Sequence, residues 1–384
     1  MSEIEPLDIT VAEEVLIDLK DRLGRTRWPD QIPDTGWDYG TNLAYLQELC
    51  AYWQDEYDWR EQEARLKAWD HFHTEIDGQN IAFIHAPSPV EGARPLLLSH
   101  GWPGSVVEFL HVIEPLRDPE AHGGDPADAF HVVAPSLPGY GWSGPTTDRG
   151  WHPKRIALAF AELMARLGYD GYVAQGGDWG SMISTQIGLQ DSARCAGIHL
   201  NMVLAVPGPD DELTEVEQAA MADAVRIMSD GAGYQQIQGT RPQTLSYGLN
   251  DSPAGLAGWI AEKFHAWTDN DGTIESAVSR DDMLTNITTY WVTGTIGSST
   301  RLYYEAMKSG LFGLQGAKVE IPTAGAVFPK EILRASRRFA ERTYNVVQWS
   351  SFDRGGHFAA LEEPDLLVED LRSFNRLLSG NRGP

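Results

Sequence analysis

One aspartate, Asp178, stands in the most chemically informative stretch of the sequence, the run QGGDWGS at residues 175–181. The run follows a predicted strand at 171–175 and precedes an apolar helical segment at 182–187. Small residues that flank a nucleophile between a strand and a helix are typical of a nucleophile elbow. The alternative is a glycine-rich turn in which Asp178 only caps the following helix.

The residue type at this position indicates the class of reaction. An aspartate with an ordinary pKa of about 3.9 is ionised at neutral pH, so it can attack an alkyl carbon without a base to activate it. A serine would form an ether in that reaction, whereas Asp178 would form an ester that water can hydrolyse. Asp178 therefore favours opening of a strained ring or displacement of a halide over cleavage of esters and amides.

The run HGWPG at residues 100–104 directly follows the predicted strand that ends at Ser99. In an α/β-hydrolase fold this loop supplies one backbone N–H of an oxyanion hole, and the residue after the nucleophile supplies the other. The predicted donors are therefore the backbone N–H groups of Trp102 and Trp179. His100, at the end of the strand, is interpreted as a residue that shapes the loop.

A histidine near the C-terminus, His357, occupies a glycine-flanked loop after the last predicted strand and before a terminal helix. Nucleophile and base then follow the chain order of the α/β-hydrolase fold, so His357 is the predicted base. Glu331, just past the strand ending at Val327, is predicted to orient it. Asp353, only four residues before His357, and Asp210 are weaker candidates for that third position.

Short apolar runs separated by helical stretches predict the elements that must position these residues. A hairpin is predicted around the turn at 77–78, and further strands at 95–99, 130–134, 171–175, 195–203, 319–327 and 346–349. This alternation indicates an α/β-hydrolase fold, with a mostly parallel central sheet and helices on both faces. The predicted parts are an N-terminal extension at 1–70, a first core part at 71–206, a helical cap, or lid, at 207–318 and a second core part at 319–384.

Charge and composition exclude several classes of partner. The 384 residues carry 30 basic and 55 acidic side chains, a net charge of −25, which repels nucleic acid and anionic lipid surfaces. Neither a targeting segment nor a membrane span is visible, so a cytoplasmic protein that binds no membrane is predicted. The two cysteines, Cys50 and Cys195, are predicted to fill buried space, and no metal or organic cofactor is expected.

At this point the sequence resembles the microsomal-type epoxide hydrolase family, including its N-terminal extension, over nearly the whole chain. The resemblance rests on the three motifs above and on RWPD at 27–30, LNDSPAGLA at 249–257 and YWVTGTI at 290–296. The family's mammalian members carry an N-terminal membrane anchor, and none is expected for this protein. The resemblance thus implies a bacterial-type member without that anchor.

The resemblance also implies two lid tyrosines that hydrogen-bond the epoxide oxygen. The first corresponds to Tyr234, in the run GYQQIQ, and the second lies in the run TRLYYE. Within that run Tyr303 fits the family pattern better than Tyr304. Together with Trp102 and Trp179, the two tyrosines are the expected substrate-binding residues.

The implied activity is hydrolysis of an epoxide to a vicinal diol through an ester on Asp178. The expected partners are water and a small hydrophobic epoxide, an aryl epoxide included, and a homodimer is considered as well. The nearest alternative is a haloalkane or haloacid dehalogenase that uses the same nucleophile. A non-catalytic binding protein of the same fold is a third interpretation, which the complete set of catalytic positions disfavours.

Overall fold

The apolar runs of the sequence form the strands of one nine-stranded sheet in the computed structural model, which describes residues 3–310 and 316–380. The predicted cap and the two predicted ends of the chain each include a few residues outside these ranges. The strands are β1 (Glu5–Pro6), β2 (His71–Ile76), β3 (Gln79–Ala86), β4 (Arg94–Ser99), β5 (Phe130–Pro135), β6 (Tyr172–Gly176), β7 (Cys195–Leu200), β8 (Val319–Val327) and β9 (Tyr344–Ser351).

The order of the strands across the sheet is β1-β2-β3-β5-β4-β6-β7-β8-β9. The first four strands in this order pair antiparallel, and every pair from β5 to β9 is parallel. The prediction of a mostly parallel sheet is confirmed. Because parallel strands end at the same edge, the loops after β4, β6 and β8 are brought together there.

Helices surround the sheet and fill the long connection between β7 and β8. They are α1 (Glu13–Leu23), α2 (Leu43–Asp55), α3 (Trp59–Leu66), α4 (Ile113–Arg117), α5 (Pro153–Arg166), α6 (Asp178–Gln190), α7 (Glu215–Asp230), α8 (Gly233–Thr240), α9 (Pro242–Asp251), α10 (Pro253–Trp267), α11 (Arg280–Thr293), α12 (Ile296–Ser309), α13 (Arg337–Ala340), α14 (Ala359–Glu362) and α15 (Pro364–Gly380).

Helices cover both faces of the sheet, as the packing of β4 shows. Successive residues of a strand point to opposite sides. Leu97 of β4 belongs to the apolar cluster that includes Phe160 of α5 and Ile183 of α6. Its neighbours Leu96 and Leu98 belong to a second cluster on the other side, which includes residues of α4 and α15. The predicted arrangement of helices on both faces is confirmed. Cys50 and Cys195 are buried free thiols, also as predicted.

The predicted hairpin joins β2 to β3 through Asp77 and Gly78. Both turn residues have positive φ, 53° and 74°, the left-handed conformation that a tight two-residue hairpin turn requires. Asp tolerates this conformation and Gly adopts it freely, which is why the sequence signal was sufficient.

The N-terminal segment packs on the helices between β7 and β8. Arg22 pairs with Asp251 at 2.8 Å, Arg280 with Glu48 at 2.9 Å, and the Thr41 hydroxyl donates to the Gly258 carbonyl at 2.6 Å. The N-terminal segment is therefore joined to the end of α9, the middle of α10 and the start of α11. The division of the chain into four parts remains a prediction.

One predicted boundary was wrong, and one short helix was missed. The strand predicted to reach Val203 ends at Leu200. Helix α3, capped by Asp58, was not predicted. Within the described ranges, no helix has both the length and the apolar composition needed to cross a bilayer.

Candidate active site

Asp178 occupies the turn between β6 and α6 in a left-handed conformation, with φ of 49°. Non-glycine residues rarely adopt this conformation, and here it directs the carboxylate away from both elements. The turn needs small neighbours because it is tightly packed. A Cβ atom on Gly176 would lie 2.2 Å from the Gly180 carbonyl carbon, and one on Gly180 would lie 1.8 Å from the Ser99 oxygen.

His357 and Glu331 lie beside this carboxylate. The His357 Nδ1 atom is 2.7 Å from Glu331 Oε1, and its Nε2 atom is 3.5 Å from Asp178 Oδ2. Burial opposes charge on the ring, but the carboxylates of Glu331 and Asp178 outweigh it and raise the pKa of His357 well above its ordinary value. The structure thus brings together three residues that are widely separated in the sequence.

Glu331 reaches the site because the loops after β8 and β9 are tied together by a bridge between Lys330 and Gly356. The other candidates for its role lie elsewhere. The Asp353 side chain is 92% exposed and pairs with Arg354 at 3.6 Å. Asp210 is exposed in the segment before α7. Of these three acids, only Glu331 contacts the His357 ring.

The backbone N–H of Trp102 donates to Asp178 Oδ1 at 2.9 Å. Trp179 directly follows the nucleophile in the first turn of α6, where backbone N–H groups have no acceptor within the helix. His100 holds the loop, since its Nδ1 pairs with the Gly101 carbonyl at 2.9 Å and its Nε2 with the Leu137 N–H at 3.2 Å. Burial lowers the pKa of His100 to about 4, so its ring is neutral at neutral pH.

Tyr234 of α8 and Tyr303 of α12 face each other near the nucleophile, with ring centroids 5.8 Å apart. The Tyr234 ring stacks on Trp102 at 5.2 Å, and the Tyr303 ring meets the edge of Trp179 at 4.7 Å. Burial is the main cause that raises the pKa of both tyrosines, so both hydroxyls are protonated at neutral pH. Tyr304 is partly exposed and lies beneath Lys308 instead.

A cavity of about 190 Å³ opens between the nucleophile and the two tyrosines. Its remaining lining is mainly apolar and comes from α6, α7, the segments after β7 and β8, and α10: Trp179, Met182, Met202, Leu204, Ala224, Ile227, Met228, Trp267, Ile332 and Leu333. A larger and more open groove of about 690 Å³ lies between residues 26–46 and α10. That groove contains none of the predicted catalytic side chains, so the smaller cavity is the candidate substrate site.

Sequence reasoning missed two residues of α10 that touch the site. The Trp267 ring lies 5.0 Å from the His357 ring, and the Trp267 carbonyl accepts the His357 backbone N–H at 2.9 Å. Lys263 is 3% exposed, and its ammonium group lies 4.3 Å from the centre of the Tyr234 ring. The two residues are four apart on one helical face, but neither belongs to a motif that the sequence made visible.

Two family models match the chain. The model described as epoxide hydrolase N terminus matches residues 4–109, and the model described as alpha/beta hydrolase fold matches residues 94–229. The first covers α1 to α3 and the sheet up to the HGWPG loop, and the second includes the Asp178 turn. Together they span the parts of the chain that carry Asp178, Trp102 and Trp179.

Similarity to individual proteins extends over almost the whole chain. A protein of Stigmatella aurantiaca that is provisionally named an epoxide hydrolase is 50% identical over 378 residues, 98% of this chain and 85% of its own length. Epoxide hydrolase 1 of Sus scrofa is 37% identical over 405 residues, 98% of this chain and 89% of its own.

Among solved structures, juvenile hormone epoxide hydrolase from the silkworm Bombyx mori superposes with a TM-score of 0.91 at 32% identity, covering 100% of this chain and 96% of that one. Sequence and structure therefore agree from the first helix to the last. The chain belongs to the epoxide hydrolase family of the α/β-hydrolase fold.

Proposed function

We propose that this protein opens epoxides to vicinal diols through a covalent hydroxyalkyl ester on Asp178. The observation that carries the proposal is the position of one carboxylate between two sets of groups. Tyr234 and Tyr303 line the substrate cavity together with Asp178. The His357 ring, held by Glu331, lies 3.5 Å from Asp178 Oδ2 and lines a separate small cavity. The first set serves ring opening and the second serves ester hydrolysis.

In the first step Asp178 Oδ2 attacks a ring carbon, because Oδ1 is already held by the Trp102 N–H. A C–O ester bond forms as the epoxide C–O bond breaks, and negative charge develops on the epoxide oxygen. Tyr234 and Tyr303 hydrogen-bond that oxygen and supply its proton, which an alkoxide leaving group requires. Their raised pKa values keep both hydroxyls in the donor form.

In the second step His357 takes a proton from water, and the water oxygen attacks the carbonyl carbon of the Asp178 ester. Charge moves onto Oδ1, where the backbone N–H groups of Trp102 and Trp179 stabilise it, each donor contributing about 3 to 4 kcal/mol. The tetrahedral intermediate then breaks its bond to the ester oxygen of the substrate, and that oxygen takes the second proton of the attacking water. The diol leaves, and the Asp178 carboxylate is restored. The role of Glu331 is to hold the His357 ring and stabilise its charged form.

The lining of the cavity supports a small hydrophobic epoxide as substrate, with aryl epoxides as the first class to test. Trp179 and Trp267 provide flat apolar walls, and within residues 3–310 and 316–380 the only carboxylate in the lining is that of Asp178. Cytoplasmic location and a homodimeric state are retained as proposals alongside this substrate class.

The dehalogenase alternative uses the same nucleophile and base but needs donors for a halide ion. Two tyrosines with raised pKa values suit an oxygen that must be protonated better than a halide that leaves as an anion. Diol release from styrene oxide, measured beside halide release from a 1-haloalkane of similar size, distinguishes the two reactions.

A single turnover in ¹⁸O-labelled water tests the covalent route. With enzyme in excess over epoxide, the first diol should carry unlabelled oxygen, because that oxygen comes from the Asp178 carboxylate. Label should appear in the Asp178 peptide, as detected by mass spectrometry, and in diol formed during later turnovers. Labelled diol in the first turnover would show direct attack by water and refute the proposal.

The Tyr303→Phe variant should slow ester formation by about 10- to 100-fold, because one of the two donors to the developing alkoxide is lost while Tyr234 remains. The measurement is the rate of ester formation in rapid-quench experiments with an aryl epoxide. Tyr304→Phe is the matched control, because Tyr304 is the next residue in the chain and its side chain is partly exposed. This substitution should change the rate of ester formation by less than about 2-fold. Equal rates in the two variants would remove Tyr303 from the mechanism.

A further inference from the structure

A second, much smaller cavity lies behind the nucleophile, on the side away from the substrate cavity. It has a volume of about 20 Å³ and is enclosed by the ends of β4 and β6, the HGWPG loop and the start of α14. The titratable residues in its wall are Glu108, Asp178 and His357. One water molecule needs about 10 to 15 Å³ of such space, so the cavity has room for one and not for an organic substrate.

The wall of this cavity also contains polar atoms that call for a partner. Ser99 Oγ and Gln175 Oε1 are buried, and no atom of the described ranges hydrogen-bonds either of them. The other end of the Gln175 amide is fixed, since its Nε2 donates to Asn201 Oδ1 at 2.8 Å. Buried polar atoms are normally hydrogen-bonded. Because Ser99 and Gln175 both line the cavity, a water molecule in it could serve as the partner of Ser99 Oγ or Gln175 Oε1.

Glu108 gives this cavity a chemical character that the sequence did not reveal. It lies in a short 3₁₀ turn, Val106–Phe109, six residues after Trp102. Burial raises the pKa of Glu108 to about 8, with His357 opposing the shift and Asp178 adding to it. The backbone N–H groups of Ser105 and Gly101 favour the charged carboxylate and so oppose the rise in the pKa of Glu108. Its side chain nevertheless retains some accessible surface, which is accounted for by the cavity it lines.

The HGWPG loop is shaped to leave room for this carboxyl group. A Cβ atom on Gly104 would lie 1.5 Å from Glu108 Oε1, and one on Gly101 would lie 2.7 Å from the carboxyl carbon of Asp178. The absence of side chains at Gly101 and Gly104 therefore leaves room for Asp178 and Glu108, and both line the small cavity. The loop thus has a second role besides donating the Trp102 N–H.

We propose that this cavity binds the water that hydrolyses the ester, and that Glu108 holds that water against His357 and Asp178. The inference rests on the ester mechanism proposed above. One water O–H is directed to His357 Nε2, which takes that proton, and the second is accepted by a carboxyl oxygen of Glu108. A lone pair of the water is then free to attack the Asp178 carbonyl carbon. Glu108 keeps its own protonation state throughout.

This role has a specific kinetic consequence, because the water takes part only in the second step. Glu108→Met, which removes the carboxyl group and keeps a side chain of similar length, should slow ester hydrolysis by about 10- to 100-fold. Ester formation should stay within about 3-fold of the unmodified protein. Glu108→Gln retains a carbonyl oxygen that can accept the water O–H, so it should hydrolyse the ester within about 5-fold of the normal rate.

The measurement is rapid-quench mass spectrometry of the intact protein with styrene oxide, which gives the two rate constants separately. Glu114→Met is the matched control, since Glu114 pairs with Arg117 at 3.0 Å on the nearby helix α4 and lies outside both cavities. It should leave both rate constants unchanged. Equal slowing of both steps by Glu108→Met, or no slowing, would overturn the proposal, as would a hydrolysis defect in Glu108→Gln as large as that in Glu108→Met.

If Glu108→Met does not fold, Ser99→Ala tests the water-binding proposal instead. Removing that hydroxyl from the cavity wall should slow hydrolysis by about 2- to 5-fold and leave ester formation unchanged, and an unchanged ratio of the two rates would overturn the proposal. Failure of the ester mechanism would be recognised separately, because the unmodified protein would then show no ester at any time.

Discussion

Replacing Asp178 by alanine is expected to abolish diol formation, with a fall in kcat of at least about 10⁴-fold. Among the described residues that line the substrate cavity, Asp178 alone has a carboxylate, and the two tyrosines have no nucleophile to assist once it is removed. Initial rates of diol formation from styrene oxide measure the effect. Intact-protein mass spectrometry should show no adduct at any time.

The matched control is Asp353→Ala, since that aspartate lies in the His357 loop but points to solvent, with 92% of its side chain exposed. Its rate should stay within about 2-fold of the unmodified protein. Residual activity of Asp178→Ala above about 1% would mean that water or another residue attacks the epoxide directly, contrary to the mechanism. A circular dichroism melt checks that both variants fold.

Replacing His357 by glutamine is expected to separate the two halves of the reaction. Ester formation needs only the carboxylate and the tyrosines, so the variant should still react once and gain the mass of one epoxide. Ester hydrolysis should slow by about 10³-fold or more, because no base activates the water. The observable result is a stoichiometric burst of adduct with almost no diol.

His122→Gln serves as the control, since His122 is exposed in the loop after α4 and should leave turnover unchanged. Glu331→Gln should give a smaller defect in the same step, since His357 remains but loses its carboxylate partner. If His357→Gln forms no adduct with any epoxide tested, the third interpretation, a non-catalytic binding protein, becomes the better one.

The parts of the site that the sequence could predict are those written in local patterns. Asp178 was found because an elbow requires small residues within two positions of the nucleophile, and the contacts of Gly176 and Gly180 show why. Glu331 was predicted because the acid should follow a strand that intervenes between Asp178 and His357 in the chain. The structure pairs that strand, β8, with β9, which precedes His357. The core strands were found because apolar runs bounded by glycine or proline are strong signals.

The remaining site residues depend on packing between segments that are distant in the sequence. Tyr234 and Tyr303 came from a family resemblance, because a tyrosine in a helix carries no local mark of the cavity it faces. Glu108 looks like a polar residue in a surface turn until the loop and α14 enclose it. Lys263 and Trp267 share a face of α10 whose neighbours are set only when α8 packs beside it.

In the proposed mechanism, the short distance between Asp178 and His357 also determines the order of the two steps. In the resting protein two anions, Glu331 and Asp178, raise the pKa of His357, so the ring keeps its proton. Once Asp178 becomes an ester it is neutral, one of those anions is gone, and the pKa of His357 falls. The proton that the ring then loses restores the tyrosine hydroxyl that protonated the alkoxide, and the neutral ring can act as a base. The negative charge of Asp178 therefore keeps His357 protonated, and so unable to act as a base, until there is an ester to hydrolyse.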